Sequence, residues 1–223
     1  MGVLVPSLLG AAALLGTGAT QPIGADTPRA KPFHGSVTPL PAKARQRMKG
    51  VSWHEGCPVG LGELRRVNVA FIGFDGDRLR GRLVVHRSEA HQILAVFARL
   101  YAKRFPIRRI EPIERYGGDD RRSMDADNTS AFNCRVVAGT DRWSRHAYGS
   151  ALDLNPRENP YVTTSGHVSP PAGAAYTDRD DVRKGMIVRS GPVVRSMRRI
   201  AGWKWGGDWS GTKDYQHFSE DGR

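Results

Sequence analysis

Two short stretches carry the residue types for hydrolytic metal chemistry. One is Ser144-Arg145-His146-Ala147-Tyr148-Gly149-Ser150-Ala151-Leu152-Asp153-Leu154-Asn155; the other runs from Gly206-Gly207-Asp208-Trp209 through Asp214-Tyr215-Gln216-His217-Phe218. Together they offer His146, His217 and the carboxylate of Asp153 as metal ligands, with a spare carboxylate, Asp214, three residues before the second histidine. Two imidazoles and one carboxylate are a recurrent catalytic zinc set: three protein ligands, a fourth position open to water, and a base to use that water. If His146 lies on a loop and Asp153 on the strand after it, Gly149 permits the bend that turns both inward. Small Ser150 and Ala151 let the backbone pass close to the site. If residues 214–216 form a turn, the Asp214 carboxylate faces the open position without binding the metal, placed to take a proton from water there. Any single histidine near an aspartate is better explained as a hydrogen-bonded pair; it is the two motifs together that point to a site. Arg135, just upstream, is a candidate for gripping a carboxylate or polarised carbonyl in forked geometry. Ser144, Tyr148, Asn133, Trp205 and Trp209 are candidate substrate contacts, with core packing the alternative for each tryptophan.

These stretches need a scaffold. Residues 67–74 read as a strand, Asp75-Gly76 as a turn and 79–86 as the returning strand. Ser88 is a candidate N-cap for a helix carried by Ala90, Ile93, Leu94, Phe97, Leu100 and Tyr101 and stopped by Pro106. Residues 107–113 read as a short strand, 115–132 as a polar loop lining a cleft, and 130–137 as a return into a strand. The irregular segment 156–190 reads as a lid or cleft wall. Val193, Val194, Met197, Ile200 and Ala201 predict a helix ending at Gly202, and 203–209 and 216–219 complete the strands. The class expected is α+β: a small, mostly antiparallel sheet flanked by helices.

The 223 residues suffice for one well-buried domain with extensions, and 39% hydrophobic content with a mean hydropathy of -0.47 fits a soluble protein. The net charge of +12 and pI of about 10.3 bear on partners rather than on fold. An anionic cell wall, anionic lipid and nucleic acid are the candidate counter-surfaces. The arginine pairs (Arg65-Arg66, Arg108-Arg109, Arg121-Arg122, Arg198-Arg199) are scattered, and no nucleic-acid motif accompanies them, so nucleic acid is not expected. Residues 3–19 are apolar, with small residues toward the end and no charge before Asp26. They predict a secretion signal over 1–25, leaving no stable membrane span once cleaved, with a retained anchor as the alternative. Residues 26–52, rich in Pro and Ala, read as a flexible linker, and the domain proper as 53–223. In an exported chain Cys57 and Cys134 suggest one disulfide, with two buried thiols as the alternative.

The first motif resembles S-x-H-x-x-G-x-A-x-D of the zinc D-alanyl-D-alanine carboxypeptidases and L-alanyl-D-glutamate peptidases of bacterial cell walls. G-W-K-W-G-G-D-W followed by D-Y-Q-H-F resembles their second motif, and N-T-S-A-F-N-C-R and N-P-R-E-N-P-Y resemble the carboxypeptidase branch. The resemblance implies a Hedgehog-like metallopeptidase fold with zinc in the cleft, held by His146, Asp153 and His217. It implies Asp214 as catalytic acid/base and Arg135 as the arginine that binds substrate or steadies the oxyanion. Some relatives carry Glu where Asp214 stands, which argues against the dipeptidase branch. The implied substrate is peptidoglycan stem peptide, met outside the cytoplasm by a secreted or wall-associated monomer. The implied reaction is release of terminal D-alanine. The alternatives are cleavage at L-alanyl-D-glutamate and a non-catalytic zinc-containing wall-binding module, since fold alone does not fix chemistry.

Overall fold

The computed structural model of the chain describes residues 1–3 and 32–222. The secretion signal expected over 1–25 therefore lies outside the described residues, apart from its first three. Everything below concerns the unit Phe33–Arg223.

That unit begins earlier than the composition suggested. Within the stretch expected to be a flexible linker, β1 (Gly35–Pro39) pairs antiparallel with β2 (Leu64–Ile72), from Gly35 opposite Val69 to Pro39 opposite Arg65. Helix α1 (Ala42–Met48) follows. The prolines that suggested a tether sit at permitted places: Pro39 ends an edge strand and Pro41 precedes the first helical residue. Leu40 and Met48 are buried against Leu64, Phe132 and Ala147, so this segment closes one side of the core.

β2 and β3 (Arg78–His86) form the expected hairpin, Val67 opposite Leu83 and Ile72 opposite Arg78. Period-two alternation turns Val67, Val69, Phe71, Leu83 and Val85 inward, where α2 (Ala90–Ala102) lays Ile93, Val96, Phe97 and Leu100 across them. Ser88 does not cap α2. Its hydroxyl instead donates to Glu89 Oε1 at 2.6 Å, while the other Glu89 oxygen accepts from Trp203 Nε1 at 3.0 Å. Trp203 is fully buried, so Trp203→Ala should remove about 3–5 kcal/mol of stability, measured by denaturant unfolding.

The expected strands at 107–113 and 130–137 exist only as isolated bridges, Ile110 to Thr129, Ser130 to Asp153 and Val136 to Trp143. Pro106 and Pro112 lack the N–H groups that a continuous ladder needs. The polar loop contains α3 (Asp120–Asp125), capped by Asp119, whose side chain accepts from Arg122 N. Beyond it come α4 (Arg145–Tyr148), β4 (Ala151–Asp153), β5 (Tyr161–Val162), β6 (Val168–Ser169), α5 (Pro192–Ser196), β7 (Lys204–Trp205), β8 (Lys213–Asp214) and β9 (His217–Ser219). The predicted C-terminal helix is α5 continued by one π turn, closed by Gly202 at φ 72°. The sheet expected as one is three small antiparallel ones, β1-β2-β3, β4-β9-β7 and β6-β5-β8.

The segment 156–190 is a fastened wall. Buried Asn159 donates to the carbonyls of Leu154, Asn155 and Gly185 and accepts from Ile187 N at 2.7 Å. Beside it the buried carboxyls of Glu158 and Asp127 lie under Arg108, whose guanidinium is 3.5 Å from Asp127 and 3.8 Å from Glu158. Burial, then the Asp127 charge, push Glu158 up to about 8. A carboxyl raised in the folded state binds a proton that the unfolded chain has lost, so stability falls as pH rises from about 4.5 to about 8. The unfolding midpoint should fall across that window, and Glu158→Gln should remove most of the fall. Cys57 and Cys134 form a disulfide, tying the N-terminal side of the unit to the segment before α4. No helix among the described residues is long and apolar enough to cross a membrane.

Candidate metal centre

The pairing of β4 with β9 sets Asp153 directly opposite His217 and Leu152 opposite Phe218. Alternation sends Leu152 and Phe218 into the core and turns Asp153 and His217 to the other face. Helix α4 delivers the third group. Ser144 is its N-cap, accepting from His146 N at 3.3 Å, and Gly149 closes it at φ 69°. Gly149 also passes its carbonyl to His86 N of β3 at 3.0 Å, and a Cβ there would lie 2.6 Å from that nitrogen. Only glycine meets both demands.

The three side chains converge. His217 Nδ1 is 3.0 Å from one Asp153 oxygen, His146 Nε2 is 3.2 Å from the other, and the two ring nitrogens are 3.4 Å apart. All three residues are buried. A tetrahedral set held about 2.0–2.1 Å from a zinc ion has edges of about 3.3–3.4 Å, so these donors are spaced to hold one. His146 Nδ1 is against the Ala131 carbonyl, to which its N–H donates, leaving Nε2 free to face the cluster. Burial pushes the Asp153 carboxyl up, but the charges and hydrogen bonds of His146 and His217 outweigh it and hold Asp153 well below the usual carboxylate range. It is thus an anion between two imidazoles, the state a metal ligand needs.

Asp214 ends β8, opposite Tyr161 of β5. Gly206 makes its approach possible: a Cβ at 206 would lie 2.5 Å from the Asp214 carbonyl oxygen. A turn over 214–216 is not what forms: Asp214 is the last residue of β8, held there by pairing with Tyr161, and only Tyr215 and Gln216 bend the chain round to His217. One Asp214 oxygen is buried without a hydrogen-bond partner. Burial, followed by the Asp153 charge, raises this carboxyl to about 7, with the two histidines opposing and Asp120 adding to the rise. A carboxyl that titrates near neutrality suits proton exchange.

Arg135 lies in the segment whose backbone meets α4: Asn133 N donates to the His146 carbonyl at 3.1 Å and Ser144 N to the Arg135 carbonyl at 3.0 Å. Its guanidinium donates to Asp120 at 2.8 Å, while its Nε is buried without a partner. Asp120 is the residue that sequence reasoning passed over; one more acid in a polar loop, it gave no signal that it would face both Arg135 and Asp214.

The expected substrate contacts divide. Trp209 is half-buried, its ring 5.9 Å from that of His217, and Tyr148 lies on α4 beneath Arg145. Trp205 is instead a core residue: it stacks on Phe218, and its indole N–H is spent on the Tyr215 carbonyl at 2.8 Å. Ser144 and Asn133 are buried, Ser144 as the α4 cap and Asn133 with its amide donating to the Gly118 carbonyl at 3.1 Å.

Residues 138–220 match a family model described as D-alanyl-D-alanine carboxypeptidase. The matched region contains both motifs, and the match supports a peptidase. No curated protein and no solved structure gives a significant match.

Proposed function

We propose, on the premise that residues 138–220 match the D-alanyl-D-alanine carboxypeptidase family, that the chain hydrolyses the terminal D-alanyl peptide bond of peptidoglycan stem peptides with zinc as cofactor. The observation that carries this is the convergence of His146, Asp153 and His217 to 3.0–3.4 Å, with the half-buried Asp214 near enough to feel their charges through a carboxyl that has one oxygen buried. His146, Asp153 and His217 would hold zinc, in a cleft of Hedgehog-like fold. When bound, zinc supplies Lewis acidity and lowers the pKa of a coordinated water toward neutrality.

The chain's own residues do the rest. Asp214 accepts a proton at its unpaired buried oxygen and returns it to the leaving amine. Burial that raises its carboxyl to about 7 makes both transfers accessible near neutral pH. Arg135, with Nε unspent, offers its fork to a terminal carboxylate or developing oxyanion. The fixed Nδ1 contact of His146 to Ala131 keeps the ligand cluster from reorganising. Trp209, its ring 5.9 Å from that of His217, would flank the bound substrate. Arg135→Lys keeps the charge but loses the planar fork. It should cut kcat/KM about 10–100-fold, the worth of a charged hydrogen bond, in steady-state assays on stem peptides.

The disulfide and the apolar leader suit work outside the cytoplasm, secreted or wall-associated, and the basic surface suits an anionic wall. The deciding experiment is digestion of purified stem peptides followed by mass spectrometry. Free D-alanine is the expected product. Fragments cut at L-alanyl-D-glutamate would make the protein an endopeptidase, and wall binding without any new amino group would make it a non-catalytic module.

A further inference from the structure

The arginines that look scattered in the sequence are not all scattered in space. Arg99 and Lys103, one turn apart at the C-terminal end of α2, face Arg195 and Arg199, one turn apart along α5 and its π extension. The four exposed cations line a narrow groove of about 170 Å³, completed by Pro192, Ser196 and Ile200. No carboxylate lines it, and among the described residues none of the four cations makes an ion pair. The nearby acid, Asp208, is already taken by Arg189 at 2.6 Å and by Arg198. Arg195 reaches only a neutral group, the Ser190 carbonyl.

Such an arrangement works against folding. Like charges at i,i+4 repel, and here two such pairs face each other. The negative end of the α2 dipole accounts for Arg99 and Lys103 but not for Arg195. Four uncompensated cations around one recess are an anion site in charge and in shape.

The groove also selects among anions. A flat bilayer meets protruding cations rather than a narrow recess. A single-stranded nucleic acid gains much of its affinity by stacking bases on aromatic rings, and no aromatic side chain lines this groove. We infer that the groove between α2 and α5 binds a thin, flexible polymer of phosphodiesters without bases, of the polyol-phosphate type. The inference does not depend on the metal centre or on any peptidase activity.

The test uses the full chain and poly(glycerol phosphate) as probe, with binding followed against salt. Phosphatidylglycerol vesicles and an oligothymidylate of matched charge serve as the competing sources of phosphate. Arg99→Gln, Lys103→Gln, Arg195→Gln and Arg199→Gln are combined in one variant. A second variant removes the same charge from exposed positions on or just after β3: Arg78→Gln, Arg80→Gln, Arg82→Gln and Arg87→Gln. The groove variant should lose at least ~10-fold in affinity, with its salt slope flattened by about 3, four contacts at ~0.7 each. Its unfolding midpoint should rise, because repulsion is relieved, which also shows that it folds. The β3 variant should bind within about 3-fold of the parent, as long as local contacts rather than net charge decide. Equal losses in both variants, no loss in the groove variant, or tighter binding to vesicles or oligothymidylate than to the polymer would overturn the inference.

Discussion

Asp214→Ala should leave stoichiometric zinc on the protein and lower hydrolysis of stem peptides about 10²–10⁴-fold, the range for removing a general acid/base. The separation of the two effects follows from position. Asp214 stands outside the convergent trio: it ends β8, while Asp153 and His217 face each other across β4 and β9. Its loss removes no ligand atom. One of its two oxygens also has no hydrogen bond to lose. Folding tolerates the change for the same reason: a carboxyl raised to about 7 by burial and by the Asp153 charge is held there at a cost, so removing it should not lower the unfolding midpoint near neutral pH. Zinc content by elemental analysis, product release and thermal unfolding on the same preparation check the three parts. Full activity in the variant would remove Asp214 from the mechanism.

His146→Ala should have the opposite signature: zinc should fall to background and activity with it. His146 supplies one of three donors, and the remaining Asp153–His217 pair leaves a two-ligand site. The variant also loses the contact to Ala131 that orients the ring, and the charge that helps keep Asp153 ionised. Asp153 then sits buried beside one imidazole instead of two. Stability changes in two directions that can be separated. In zinc the parent gains about 2.7 kcal/mol at a zinc concentration of 100 times its Kd, and the variant gains nothing. With chelator the difference shrinks to the local cost of the lost side chain. Thermal unfolding with and without zinc, beside elemental analysis, measures both; unchanged zinc content in the variant would refute the ligand set.

Much of this site was legible because its chemistry is local. His146, Gly149 and Asp153 occupy one short run, and Gly149 was read as the bend that the α4 to β4 turn requires. The hairpin β2–β3 and helix α2 were legible because their periodicity is strong and their ends carry turn and proline signals. What could not be read depends on partners distant in sequence. β1 and α1 look like a tether because the stretch around them is rich in Pro, Ala, Gly and basic residues; only pairing with β2 and the burial of Leu40 and Met48 make them part of the domain. Trp205 looks like a cleft residue, yet its neighbours Phe218 and Tyr215 hold it in the core. Asp120 acquires its place from the fold of α3 against Arg135. The basic groove is the same lesson in charge: cations on two separate segments become one surface only when α2 packs on α5.

The central claim is that zinc held by His146, Asp153 and His217 makes this chain a peptidase. Stripping the metal with a chelator, returning zinc in sub-stoichiometric steps, and counting D-alanine released from stem peptides tests it most directly. The account predicts no release from the stripped protein and a linear recovery that saturates at one zinc per chain. Undiminished release after complete stripping, or no release of any amino group from the fully loaded protein, would contradict it.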